Sequence, residues 1–129
     1  ELSFSKELYL DLKNISEMIE GGMLFGSHGT EHKWLSKLKK HEQEQDIKTS
    51  IEFLKTAGHS LKNLTMCFPY GDFNKDTLTI LKKYDFCLGF GIETRVANIS
   101  KDNILTLPRL DTNDIPMFMD QPNRWYEEA

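Results

Sequence analysis

At 129 residues, 39% apolar and 28% charged, the chain has the composition of one globular domain rather than of a disordered or membrane-embedded segment. A formal net charge of −4 and the absence of a Lys/Arg cluster exclude the electrostatic footprint of a nucleic-acid or acidic-membrane binder, so a neutral or cationic ligand fits better. No stretch approaches the roughly 18 apolar residues a membrane span requires. The chain begins at Glu1 without a basic-then-apolar leader, which leaves a removed leader or an upstream segment open, and the compartment with it. Lys37, Lys39 and Lys40 form the one dense basic run and are answered at once by Glu42, Glu44 and Asp46, the pattern of a solvated helix approach.

In chain order, Leu8, Leu10, Leu12, Ile15, Met18 and Ile19 recur at helical spacing and Gly21-Gly22 supplies a stop, which predicts an amphipathic helix over 6–20 with Asp11 inside it. Met23-Leu24-Phe25 then reads as a short buried strand that delivers His28 at its C-terminal end. A second helix is expected over 42–57, with Ile47, Ile51, Phe53 and Leu54 on one face and Gly58 as its stop. Residues 64–68 form the next strand candidate, Asn74 can cap a third helix over 75–83 whose Leu78, Ile80 and Leu81 face inward, and 86–90 and 104–107 are further strand candidates. Cys67 and Cys87 sit in apolar runs with no CxxC spacing, which predicts reduced, buried thiols. His41 and His59 fall in solvated, helix-linked positions. Alternating helix and strand in a single domain over 1–129 is the pattern of a parallel α/β sheet or barrel, where the C-terminal strand ends carry the chemistry.

Gly26-Ser27-His28-Gly29-Thr30-Glu31-His32 is the most informative stretch, because two imidazoles four apart converge on one ion if the residues between them make a helical turn. Neutral imidazole suits zinc and other first-row metals. The alternative is a strand-capping His28 with His32 on the surface of the next turn.

These residues, with Leu35-Ser36-Lys37-Leu38 after them, resemble the His-Ser/Thr-x-x-His metal motif of the polysaccharide deacetylases. Phe68-Pro69-Tyr70-Gly71-Asp72-Phe73-Asn74 resembles the Pro-Tyr-Gly motif of the same family, in the same order and at a similar interval. The resemblance implies part of a distorted (β/α) barrel and a metal-dependent hydrolase that removes acetyl groups from N-acetylated sugars such as N-acetylglucosamine polymers. It places a divalent metal, zinc by choice, on His28 and His32. It also implies that Pro69, Tyr70 and Gly71 line the substrate, the backbone N–H of Tyr70 helping to hold the oxyanion. For the Tyr70 ring, simple packing beside the strand is the competing reading.

The departures are as informative. The family's early Asp-Asp motif, source of the catalytic base and the third ligand, has no counterpart here, so the N-terminal strands of the barrel are expected to be missing and the chain alone inactive. An exposed strand edge would then invite a homodimer, a domain swap or a separate N-terminal segment. In many members an Arg stands two residues before the Pro of the Pro-Tyr-Gly motif; Cys67 takes that place, and Arg109 could supply the charge unless it pairs with Asp111 or Asp114 at the surface. No Leu-x-x-His motif for a late general acid is present. Two other functions remain open: a non-catalytic carbohydrate-binding or interaction domain on the same fold, and an H-x-x-E-H zinc peptidase, which needs residues 28–32 in mid-helix.

Overall fold

The computed structural model describes residue 4 and residues 8–114. Helix α1 spans Leu12–Glu20 and starts later than the apolar spacing suggests, because Asp11 is its N-cap rather than an interior residue. The Asp11 carboxylate accepts from Asn14 N–H at 2.8 Å while the Asn14 side chain accepts from Asp11 N–H at 3.1 Å, a reciprocal cap that satisfies donors the first turn leaves free. Ile15 is the residue of α1 that is buried, and Ser16 ties the helix to the end of the next one by donating to the Ala57 carbonyl at 3.2 Å. Leu8, Leu10 and Leu12 lie exposed.

The chain then passes Met23 and Leu24 without forming the expected strand. Those residues are 55% and 86% exposed, and extended pairing is confined to a single parallel bridge between Ser27 and Met66. Ser27 N–H donates to Thr65 O at 2.8 Å and Cys67 N–H to Ser27 O at 2.9 Å. Gly26 is required there, since a Cβ would lie 2.3 Å from Thr65 Oγ1.

Helix α2 (Lys40–Thr56) leads to strand β1 (Thr65–Cys67), and α3 (Lys75–Lys83) leads to β2 (Leu88–Phe90). The strands are parallel in the register Thr65↔Leu88, Met66↔Gly89, Cys67↔Phe90, and a further parallel bridge joins Phe90 to Leu107. The chain thus crosses one sheet in the spatial order Ser27, β1, β2, Leu107, always in the same direction, which is an arc of an α/β barrel wall. The 104–107 segment contributes that bridge rather than a full strand. Gly89 allows it to come close, for a Cβ there would meet Leu105 O at 2.0 Å.

Between helices and arc lies the core: Ile47, Ile51 and Leu54 from α2, Ile80 and Leu81 from α3, and Leu64, Met66, Phe68 and Leu105 from the sheet, with Leu78 half-buried against them. Phe53 is half exposed, because its position on α2 turns away from the Ile47–Ile51–Leu54 stripe. A fully buried Gln43 joins the helices: it accepts from Thr77 Oγ1 at 2.6 Å and donates to Leu38 O at 3.0 Å. Asn74 caps α3 by accepting from Asp76 and Thr77 N–H.

Three polar expectations need correction. Asp46 is buried rather than solvated, because it faces the loop after Ser27. His59 is 7% exposed, tucked in after the Gly58 turn, and its Nδ1 has no hydrogen-bond partner. Both cysteines are free as expected but only half-buried, Cys67 at the end of β1 and Cys87 just before β2, where its thiol reaches Leu64 O at 3.3 Å.

Candidate active site at the strand ends

Because the four passes run in parallel, the residues that follow them emerge on one rim: His28 after Ser27, Pro69-Tyr70-Gly71 after β1, Ile92 after β2 and Arg109 after Leu107. His28 Nδ1 lies 2.6 Å from Cys67 O. A carbonyl can only accept, so in the neutral ring the Nδ1 carries the hydrogen and Nε2 presents its lone pair, the arrangement of an imidazole held ready for a metal.

Residues 29–31 make no helical turn. Gly29 has φ 71° and His32 φ 51°, so the chain doubles back through left-handed backbone and brings the two rings together by a route the helical-spacing argument did not foresee. Their centroids are 4.7 Å apart at 60°. The same geometry disposes of the H-x-x-E-H peptidase reading, which needs a helix, and Glu31 is engaged with Lys33 rather than directed between the rings.

Asp46, on α2, holds this loop. Its Oδ2 accepts from Thr30 N–H at 3.0 Å, its Oδ1 from Glu31 N–H at 3.1 Å, and its backbone carbonyl from Thr30 Oγ1 at 2.9 Å. Gly29 is pressed against it so tightly that a Cβ would stand 2.6 Å from Oδ2. One residue before His28, the Ser27 hydroxyl meets that of Ser50 on α2 at 2.6 Å.

The Pro69–Gly71 segment is a 3₁₀ turn with Pro at its start, and Tyr70 takes φ 57°, ψ 13°. Early positions of such a turn leave N–H groups without partners inside it. Left-handed backbone at a non-Gly residue costs on the order of 1–3 kcal/mol and collects at functional sites. Gly71 at φ 67° allows the close approach of Ile92, which a Cβ would strike at 2.4 Å. The Tyr70 ring packs edge-on to His32 at 4.6 Å and stacks on Trp34 at 4.4 Å with the planes 3° apart. Asp72 locks the two turns together, accepting from Ser36 N–H at 2.6 Å and from Ser36 Oγ at 2.7 Å.

Arg109 is exposed, and its Nη1 lies 3.0 Å from the Cys67 thiol. Its charge also helps, behind the Asn113 N–H and the side chains of Asn113 and Thr112, to hold the Asp111 carboxyl below its usual range. Among the described residues no group of three metal-donor side chains is assembled, and the imidazole pair is the candidate donor set. Trp34, Asp46 and Asp72 escaped the sequence reading. Asp72 stood inside a recognised motif and Asp46 inside a charge run, and neither position declares its partner in one dimension.

A family model described as polysaccharide deacetylase matches residues 9–88, a span that includes both histidines and the Pro-Tyr-Gly turn. The chain belongs to the polysaccharide deacetylase family. Among solved structures, a Streptococcus pyogenes deacetylase, PplD, in complex with acetate is 26% identical with a TM-score of 0.71, over 78% of this chain and 44% of that one. IcaB from Ammonifex degensii is 22% identical with a TM-score of 0.64, over 78% and 46%. A polysaccharide deacetylase from Bacillus cereus is 23% identical with a TM-score of 0.62, over 78% and 32%. This deacetylase-family chain therefore spans less than half the length of those structures. No curated protein matches it significantly. Among the described residues, no helix is long and apolar enough to cross a membrane.

Proposed function

We propose that the chain carries the metal-binding histidines and the oxyanion turn of a hydrolase that removes acetyl groups from N-acetylated sugars. The observation that bears this reading is the convergence of His28 and His32 beside the strained Tyr70 turn, with the His28 Nδ1 already committed to Cys67 O. His28 and His32 would hold a divalent metal, zinc being the natural choice for paired imidazoles. Such an ion supplies Lewis acidity toward an amide carbonyl and lowers the pKa of bound water to about 7. The chain's own residues do the positioning. Cys67 O fixes the His28 tautomer, Asp46 sets the path from His28 to His32, and Asp72 holds the Ser36 turn against the Tyr70 turn. The Tyr70 N–H, oriented by Pro69 and Gly71, would donate to the oxyanion of the tetrahedral intermediate.

Zinc content of the purified chain beside His28→Ala and His32→Ala, together with acetate release from an N-acetylglucosamine oligomer by a longer form of the protein, tests the reading. Loss of zinc in both variants is expected, and equal content in all three sinks it. The two-member donor set among the described residues favours one other reading, a glycan-binding domain without chemistry; it would show oligosaccharide affinity and no acetate release from any longer form of the protein.

A further inference from the structure

We propose that Trp34, backed by Tyr70, is a stacking subsite for a pyranose ring of the polymer, adjacent to the sugar whose acetyl group is removed. The choice of ligand rests on the deacetylase reading; the platform rests on geometry. Trp34 and Tyr70 are 51% and 47% exposed, yet they lie parallel to within 3° and in contact at 4.4 Å. One indole face rests on the phenol ring, and the residue as a whole stays half exposed to solvent. Large aromatics held flat at a surface are costly to leave wet, and they mark sites where a rigid apolar face meets a partner with one apolar side.

The platform is also pre-organised. Trp34 begins the Leu35–Lys37 turn, its carbonyl accepting from Lys37 N–H at 3.1 Å, while the next residue, Leu35, is fully buried. Ser36 is clamped by Asp72, which ties the turn that carries Trp34 to the turn that carries Tyr70. Little freedom remains to be lost when a ligand stacks there, which raises affinity for a given contact area.

Its position sets its role. The rings run in the order His28, His32, Tyr70, Trp34, at 4.7, 4.6 and 4.4 Å between successive centroids. The Tyr70 ring touches both His32 and Trp34 and so links the indole to the imidazole pair, which places the indole to hold a sugar next to the one whose acetyl group is removed. A pyranose offers a flat patch of C–H groups on one face and carries no charge, which suits both the aromatic platform and a chain without a basic cluster.

The probe is N-acetylchitopentaose, titrated into the full chain carrying Trp125→Phe so that Trp34 is the one indole that emits. Saturable quenching or a blue shift of that emission is expected. By calorimetry, Trp34→Ala should weaken binding roughly three- to tenfold, the loss expected for one aromatic stack, and Trp34→Phe should recover most of it. The monosaccharide should bind Trp34→Ala and its parent alike. Equal pentamer affinity for the parent and Trp34→Ala, or a Trp34 emission indifferent to the pentamer, overturns the subsite. Binding is read without reference to turnover, so pentamer stacking on this chain with no acetate release from any longer form of the protein keeps the subsite and rejects the deacetylase reading.

Discussion

Gly29 concentrates the site's requirements on one residue. It sits at φ 71°, directly after the first histidine, with Asp46 Oδ2 where a side chain would begin. Gly29→Ala therefore meets two penalties together, a left-handed backbone costing about 1–3 kcal/mol and a steric conflict with the carboxylate that organises the loop. Chemical denaturation should register a loss of at least that size, and zinc affinity should fall with it. A variant as stable as the parent would mean that the loop has another conformation available. At this scale the sequence was partly legible. The spacing of His28 and His32 led to the expectation that the two rings converge, and they do, at 4.7 Å; the helical turn invoked to bring them together is absent, because a pair four apart says nothing of backbone path. Arg109 stood out as a charge near the site, and its neighbour proves to be the Cys67 thiol at 3.0 Å, a contact across 42 residues of chain that local pattern does not encode.

Among the elements, α2 does more than cover the sheet. Its buried face alternates apolar anchors, Ile47, Ile51 and Leu54, with the polar residues Gln43, Asp46 and Ser50, each of which reaches a neighbour outside the helix. Asp46→Ala should cost about 1.5–3 kcal/mol, the range for hydrogen bonds to a charged acceptor. It should also weaken zinc binding by about tenfold or more, as loss of an orienting partner does. Asp46→Asn, which keeps one acceptor oxygen, should fall between. If zinc affinity tracks overall stability in the same way for an unrelated α2 core variant, Asp46 has no special part in the loop. The 93–102 loop gives a pH-dependent counterpart. Arg95 grips Asp102 with two bonds of 2.8 Å, and that pairing, followed by the Asn98 N–H, lowers the Asp102 carboxyl to about 2. A depressed carboxylate stabilises the fold above its unfolded value near 4 and loses that contribution as pH falls through its folded value. The Asn98 amide resonance should accordingly titrate with a midpoint near pH 2 that Arg95→Lys moves upward; a midpoint near 4 in the parent would contradict the pairing. Element boundaries were readable where caps are local, as at Asn74 and the start of α3. They failed at Met23 and Leu24, where an apolar run signalled burial and the described residues supply no covering layer, while Phe25 beside them packs against the core.

For the molecule as a whole, one group of exposed apolar residues lies where α1 leads into the sheet: Leu8, Leu10 and Leu12, then Met23 and Leu24, with Leu8, Leu10 and Met23 lining a single hollow. Contiguous apolar surface of this kind draws partners. Light scattering of the chain alone should give a mass above that of a monomer, and Leu24→Lys should bring it down; a concentration-independent monomer would show that this surface is tolerated in water. The barrel-type alternation of helices and strands was legible from periodicity, since parallel crossovers impose it, whereas the sheet's true extent depends on pairing partners and was not. The common direction of the strand passes has one more consequence. The turns entering the strands, around Asn63 and Asp85, lie at the opposite end from the rim that bears His28, Tyr70 and Arg109. A tether or fusion placed at those turns would present the rim outward like the head of a stamp, which is the orientation the proposed polymeric substrate, too large to diffuse to it, would need.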